Sequence, residues 1–173
     1  MGLFSSSCAF NSFDELLVEQ LQDLYDAEQR LTKALPKMAE AAHNPALKSA
    51  FEEHLQQTKN HVSRLEQAFK TLGKSAQTKT CEAMKGLVEE GSEVISANGD
   101  PDVKDAALIA AAQRVEHYEI AAYGTARTFA QRLGKPEAAR LLQQTLDEEA
   151  ETDRKLTGLA EKAINPKAAA TAR

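Results

Sequence analysis

Glutamates and histidines interrupt apolar patterns in four separate stretches of the 173-residue chain. In each stretch, apolar residues recur every third or fourth position, and polar side chains break the pattern near its middle. Carboxylates and imidazoles are the ligands that iron and manganese prefer in proteins, whereas thiolates favour zinc. We therefore interpret the interrupting residues and their neighbours as candidate metal ligands. They are Glu28, His54, His61, Glu116, Glu119, Glu149 and Asp153.

The first stretch, "LVEQLQDLYDAEQRLTKALPKMAEAA" at residues 17–42, shows the pattern most clearly. Its apolar positions are spaced for one face of an amphipathic helix, with Glu28 alone at the centre. A buried carboxylate without a partner is costly, so it must be paired, protonated or bound to a metal. Lys and Arg are absent from the four stripes at this depth, and a cation is therefore the expected partner.

The second half of the chain repeats the first at a shift of 91 residues. Pro45 corresponds to Pro136, and Glu28 corresponds to Glu119 in the middle of an equivalent apolar stripe. The repeat predicts that both glutamates lie at one depth of a four-helix bundle.

Two-metal bundles take one Glu from each of two helices and a Glu-x-x-His motif from each of the other two. Glu28 and Glu119 fit the single-glutamate positions. His61 fits the histidine of the second helix, but Thr58 stands where its glutamate belongs. The sequence therefore matches the pattern in part.

The last long helix departs from the pattern in the opposite way. Glu149 fits the glutamate of its motif, but Thr152 stands where the histidine belongs. His54 and Asp153 are the candidates to replace the two missing ligands, and Glu116 could add a bridging carboxylate beside Glu119.

Each candidate also has a structural interpretation. Glu28 could be a buried glutamate bonded to a hydroxyl such as that of Tyr25, and His61 could be a core histidine whose nitrogens are satisfied by the protein. Asp153 could form an ion pair on a solvated edge. Glu148 is expected to face solvent.

Helix start and stop signals show which elements would position these residues. Ser12 with Glu15 forms a capping box, Asn44-Pro45 and Asp100-Pro101 open helices, and Gly73 and Gly134 end them. The long link between the second and third long helices makes this an all-α, ferritin-like four-helix bundle with one crossover. The predicted units are a flexible segment at 1–11, the bundle at 12–164 and a flexible tail at 165–173. The predicted helices cover about 12–43, 45–72, 101–133 and 136–164, with a short fifth helix at about 81–95.

Composition excludes several classes of function. The net charge is −5 without a dense basic stripe, which argues against nucleic-acid binding. The sequence contains no apolar run of about 18 residues, so we expect no membrane span. The two cysteines, Cys8 and Cys81, have no metal-type spacing, and we expect free thiols in the cytoplasm.

The stretches "LQDLYDAEQRLTKALPKM", "FEEHLQQTKNHVSRLEQAF", "VEHYEIAAYGT" and "TLDEEAETDRKL" resemble the YciE/YciF-like bacterial stress proteins of the ferritin-like superfamily. The resemblance covers about residues 12–164. It implies a rubrerythrin-related fold and a stress-associated, metal-binding or ferroxidase-like role. The family usually has an acidic residue near the position of Gln57, which here cannot supply a carboxylate.

Three hypotheses for function follow. The chain could be an iron protein, with manganese as the alternative metal, whose di-iron pair reacts with O2 or peroxide. It could be a non-catalytic stress protein with a vestigial site, or an interaction module that uses the crossover helix. We also expect a homodimer, because Leu55, Val62 and Phe69 form a second apolar stripe that needs covering.

Overall fold

A computed structural model describes residues 10–170, and within that range every regular element is helical. The all-α prediction is therefore confirmed. Most of the predicted flexible segment at 1–11, including Cys8, lies outside the described residues. The elements are α1 (Phe13–Ala41), α2 (Pro45–Thr71), α3 (Glu82–Ser96), α4 (Pro101–Arg132), α5 (Pro136–Leu159), a π-helical turn (Ala160–Ile164) and α6 (Asn165–Ala170).

The expected capping residues begin the long helices. The side chains of Ser12, Asn44 and Asp100 each accept a hydrogen bond, 2.9–3.1 Å long, from a backbone N–H two or three residues further on. These bonds satisfy donors that a helix start otherwise leaves free. Gly73 and Gly134, with φ of 69° and 66°, take the left-handed conformation that ends α2 and α4.

Two helical hairpins form the bundle. Helix α1 packs on α2 and α4 packs on α5, and the hairpins join through contacts of α1 with α4 and of α2 with α5. Helix α3 lies in the long connection between the hairpins and packs against α1 and α4. This is the predicted ferritin-like arrangement, in which the crossover carries a short helix.

A buried carboxylate fixes the turn between α1 and α2. Asp105, on α4, is 1% exposed. Its two oxygens accept hydrogen bonds from the backbone N–H groups of His43 (2.8 Å) and Asn44 (2.7 Å). The first hairpin is thus held to the second at its turn.

The apolar core consists of two clusters at opposite ends of the bundle. One cluster contains Leu35, Phe51, Leu108 and Leu156, with Met84 from α3. The other contains residues from the other ends of the same four long helices, and a layer of buried polar side chains lies between the two. The principal residues of this second cluster are Leu17, Leu21, Leu65, Phe69, Tyr123, Ala126 and Leu142.

The carboxyl-terminal end of the bundle differs from prediction. We expected the last long helix to end at about residue 164 and residues 165–173 to form a flexible tail. Instead, the backbone N–H of Asn165 bonds to the carbonyl of Ala160, five residues back, and helix α6 follows as far as Ala170. Pro166 lies in the first turn of α6, where a helix does not need its missing N–H.

Candidate metal centre

Six of the seven predicted ligands meet in the polar layer. They come from all four long helices, and each is at most 3% exposed. The polar layer therefore brings buried ionisable groups of four helices to one depth, as the repeat predicted. Helix α1 supplies Glu28, α2 supplies His54 and His61, α4 supplies Glu116 and Glu119, and α5 supplies Glu149.

The six residues form two groups with metal-binding geometry that share one carboxylate. One group is His54, Glu116, Glu119 and Glu149; the other is Glu28, His61 and Glu149. Within each group, the potential ligand atoms lie within 4.8 Å of one another. Glu149 belongs to both groups and is therefore placed to bridge two ions.

Hydrogen bonding on its outer side orients His61. Nε2 of His61 lies 2.8 Å from Oε2 of Glu148, and both oxygens of Glu148 lie 2.7 Å from the Arg64 guanidinium. Nδ1 of His61 faces the centre, 2.9 Å from Glu149 and 3.3 Å from Glu28. A hydrogen bond from Nε2–H to a carboxylate leaves Nδ1 to act as the ligand atom.

His54 is oriented the other way round. Its Nδ1 lies 3.3 Å from Oε1 of Gln57 and 3.3 Å from the hydroxyl of Thr152. Its Nε2 faces the centre, 3.3 Å from Glu116 and 3.7 Å from Glu149. Gln57 is thus not a carboxylate ligand, but its amide oxygen can fix the ring of His54.

The two threonines at the incomplete motif positions do not replace the missing ligands. The hydroxyl of Thr58 donates to the backbone carbonyl of His54, at 2.9 Å. The Thr152 hydroxyl lies beside the outer nitrogen of His54. Thr152 therefore contacts the His54 ring on its outer side, whereas the Thr58 hydroxyl is satisfied within α2.

A tyrosine hydroxyl contacts the centre from α4. Tyr123, which is fully buried, donates a 2.5 Å hydrogen bond to Oε1 of Glu28. We had named Tyr25 as the alternative partner of Glu28, but its hydroxyl donates to Glu66 instead. Glu28 therefore keeps one oxygen, Oε2, without a protein partner.

Buried nitrogen and oxygen atoms without a hydrogen-bond partner are concentrated at this centre. Among the described residues, nine buried side-chain nitrogen and oxygen atoms have no hydrogen-bond partner, and eight of them belong to the six clustered residues. Both oxygens of Glu119 and of Glu149 are among them. Folded proteins leave few buried polar atoms unpaired, so such a concentration calls for a ligand.

Burial and mutual repulsion shift the ionisation of the carboxyl groups. Burial, followed by the charges of Glu28, Glu149 and Glu116, raises the pKa of Glu119 well above its ordinary value. Burial also raises the pKa values of Glu28 and Glu149, although His61 opposes the rise in both.

The histidine pKa values move in the direction that their carboxylate neighbours favour. Burial alone would lower them, but Glu116 and Glu149 outweigh it and raise the pKa of His54 to about 9. Glu149 and Glu28 raise the pKa of His61 to about 11. Without a metal, protonated imidazoles therefore offset part of the negative charge, and a metal ion would displace those protons.

The family described as "Domain of unknown function (DUF892)" matches residues 12–169 of the chain. The chain belongs to this family. A curated member, protein YciF of Escherichia coli strain K12, is 46% identical over 158 residues, covering 91% of this chain and 95% of YciF. The resemblance to YciF-like proteins inferred from the helical motifs is confirmed.

Similar proteins of known structure have the same fold. The crystal structure of the E. coli stress protein YciF matches with a TM-score of 0.87 and 45% identity, covering 90% of this chain and 99% of that one. YcfI of Rhodopseudomonas palustris, described as a candidate structural protein, matches with a TM-score of 0.84 and 42% identity, covering 90% and 98%.

A more distant match supports the fold alone. A two-domain protein of Anabaena variabilis, with DJ-1/ThiJ/PfpI-like and ferritin-like domains, has a TM-score of 0.60 and 18% identity. The match covers 89% of this chain and 38% of that protein.

In the described part of this chain, helices long and apolar enough to cross a membrane are absent.

Asp153 is the predicted ligand that the structure does not bring into the centre. Its side chain, 21% exposed, lies on the flank of α5 that faces α4. There its Oδ1 accepts a 2.9 Å hydrogen bond from Gln113 and lies 3.3 Å from Nε2 of the exposed His117. Asp153 is therefore paired at the edge of the bundle, which is the structural interpretation given for it above.

Glu148 and Arg64 are the residues that the sequence did not reveal as part of the site. We expected Glu148 to face solvent and found no cation on the apolar stripes at this depth. The structure places Arg64 beside the polar layer, where it pairs with Glu148. In the sequence, their place in the site was indicated only by their neighbours: Arg64 precedes Leu65 and Glu148 precedes Glu149, both on the apolar stripes.

A cavity of about 190 Å³ connects the centre with the surface between α2 and α5. His54, Glu116, Gln57 and Thr152 line its inner part, and the exposed Glu151 and Lys155 line its outer part. The cavity is the route by which an ion or small molecule could reach the ligand atoms.

Proposed function

We propose that this protein is a stress-associated, cytoplasmic bundle that holds two metal ions, in the first instance iron, in its polar layer. Manganese is the alternative, because it shares the preference for oxygen and imidazole ligands. The observation that carries the proposal is the convergence, from four helices, of eight buried atoms without a hydrogen-bond partner. The free thiol of Cys81 is consistent with a reducing compartment.

The donor set fits two divalent cations. Glu28, Glu116, Glu119 and Glu149 carry four negative charges when ionised, which two divalent ions would neutralise. One ion would be held by Glu28, His61 and Glu149. The other would be held by His54, Glu116, Glu119 and Glu149. Pairing with a cation is the condition under which buried carboxylates are stable in their charged form.

The side chains around the ions have separate roles. Glu149 would bridge the two positions, while Glu148 and Arg64 hold His61 with Nδ1 inward. Tyr123 fixes one oxygen of Glu28 and leaves the other free to bind. Iron bound here would supply one-electron redox chemistry towards O2 or peroxide.

A non-catalytic role is the second candidate. It is favoured by the incomplete motifs at Thr58 and Thr152 and by the description of the similar YcfI as a candidate structural protein. In that case, the protonated histidines would offset part of the carboxylate charge, and the bundle would be stable without iron.

Metal content after anaerobic loading tests the proposal. Chelator-treated protein is loaded with Fe²⁺ without oxygen, desalted and analysed for metal, and its absorption is recorded on aeration. We expect about two irons per chain, since the geometry offers two ligand groups. The variants Glu28→Ala and Glu119→Ala should lose iron, whereas the exposed-site control Glu52→Ala should retain it.

The possible results separate the two candidates. Two bound irons with a new absorption band on aeration support an oxygen-reactive centre. Equal iron in all three variants would place the site elsewhere, and an iron-free, stable wild type would support the structural role.

A further inference from the structure

A second cavity lies between α1, α3 and α4. Its volume is about 290 Å³, and none of the candidate metal ligands lines it. Its wall is mainly aliphatic, with contributions from the crossover helix on one side and the bundle on the other. The apolar wall consists of Leu31, Met38, Leu87, Val88, Ile95 and Val115.

Gly91 keeps this cavity open. It lies in the middle of α3, is buried and lines the cavity, yet a Cβ added there would meet no atom within 4 Å. A glycine within a helix is destabilising by about 0.5–1 kcal/mol relative to alanine. The φ angle is not in the left-handed region, so the backbone does not require glycine. The space beside Gly91 is the feature that a larger side chain would remove.

The rim of the cavity on α1 is cationic. Arg30, Lys33 and Lys37 all line it. Arg30 is paired with Asp26, at 2.6 Å, whereas Lys33 and Lys37 are exposed and have no acidic partner among residues 10–170. In a chain with a net charge of −5, two unpaired lysines beside an apolar cavity form a local site for an anion.

We propose that this cavity binds a medium-chain carboxylate, with its aliphatic chain against α3 and its carboxylate at Lys33 and Lys37. At about 30 Å³ per water-sized group, the volume accommodates roughly ten such groups. An apolar wall with a few convergent polar groups is typical of small-molecule sites. A second copy of the chain fits less well, because a two-fold contact over this face would bring the lysines of both copies together.

Calorimetric titration of the full chain with decanoate tests the proposal. We expect saturable binding at one site, weakened at least about tenfold by Gly91→Leu, because the new side chain occupies the cavity. Gly86→Leu is the matched control: it lies on the same helix, also faces open space and does not line the cavity. It should bind decanoate like the wild type.

The charge requirement is tested separately. Decyltrimethylammonium should not bind, and Lys33→Gln with Lys37→Gln should weaken decanoate binding several-fold while leaving the melting temperature unchanged. The proposal is overturned if decanoate does not bind, if Gly91→Leu binds it as well as Gly86→Leu does, or if the cationic amphiphile binds equally. Loss of a dimer in Gly91→Leu, without decanoate binding to the wild type, would show that a second copy covers the cavity.

Discussion

Glu119 is the carboxylate of the centre with the fewest protein partners. It is 0% exposed, and neither oxygen accepts a hydrogen bond. We expect Glu119→Gln to stabilise the metal-free protein at pH 7 by about 1–3 kcal/mol, because the unfolded glutamate is ionised at this pH, burial disfavours its charged form in the folded protein, and the amide carries no charge. The measurement is urea unfolding of chelator-treated protein at pH 7.

The same change should weaken iron binding, since an amide is a poorer ligand for iron than a carboxylate. Glu52→Gln, on the exposed face of α2, is the control and should change neither property. If Glu119→Gln destabilised the metal-free protein, the polar layer would not be a crowded carboxylate site.

Glu148 contacts the outer nitrogen of His61 and is not among the side chains that face the centre. Removing an outer hydrogen-bond partner of a metal-binding histidine typically lowers metal affinity by about 10–100-fold. We expect that loss for Glu148→Ala, measured by competition with a chelator of known affinity. Glu151→Ala, three residues along α5 and paired with Arg154 at the surface, should retain the affinity of the wild type.

Cys81 should make stability decline in alkali. Burial raises the pKa of its thiol above the ordinary value of 9.0, although the hydrogen bond with Tyr118 opposes the rise. The unfolded chain therefore loses this proton first. Its contribution to stability is complete below about pH 9 and is lost as the pH rises towards the folded-state pKa, with a slope of at most about 1.4 kcal/mol per pH unit.

Cys81→Ser isolates this effect, because serine can also cap α3 but does not titrate in this range. Unfolding free energies at pH 8, 9 and 10 should fall less steeply for Cys81→Ser than for the wild type. Parallel slopes would mean that the thiol ionises equally in both states.

The sequence predicted the inner residues of the centre better than the outer ones. Glu28 and Glu119 were identifiable because each interrupts an apolar stripe at equivalent positions of a repeat. Glu148 and Asp153 both flank the stripe of α5, and helical spacing alone does not show which flank faces which neighbour. The packing of α5 against α2 brings Glu148 to His61, while the opposite flank takes Asp153 to α4.

At the scale of the elements, Asp105 joins α4 to the first hairpin. Asp105→Ala leaves two backbone N–H groups in the turn between α1 and α2 without their partner. Each hydrogen bond to a charged group contributes about 1.5–3 kcal/mol, so we expect a loss of roughly 3–6 kcal/mol in unfolding free energy. Asp102→Ala, one turn earlier on α4, should cost about 0.3–1 kcal/mol through the helix dipole.

Equal losses in the two variants, measured by urea unfolding, would contradict a special role for Asp105. Circular dichroism before unfolding establishes that both variants keep their helical content.

Helix ends were predictable where a capping side chain marks them, as Asn44 and Asp100 do. The end of α5 was not, because Asn165-Pro166 has the sequence of both a helix stop and a new first turn. Ile164, which is 1% exposed, lies in the apolar core, and its burial favours continuation of the helical path. That contribution depends on neighbouring helices, which local sequence signals do not include.

At the scale of the whole molecule, the dimer stays a prediction, and the structure leaves less exposed apolar surface to support it than the sequence suggested. Phe69, which we assigned to a surplus stripe, is fully buried in the core. Among the described residues, the large apolar side chains that remain exposed are Phe10, Phe13 and Val103. Sedimentation at micromolar concentration should give twice the chain mass of 18.8 kDa, and a monomer would refute the prediction.

The polar layer also determines how the molecule would open. Each apolar cluster contains residues from all four long helices, so each half of the core is a slab cut across the bundle. Local unfolding follows contiguous cooperative units. Fraying at one end must therefore release the ends of four helices together, while the far slab stays closed. Slow exchange of backbone amides should accordingly divide the molecule across its helices rather than between its hairpins.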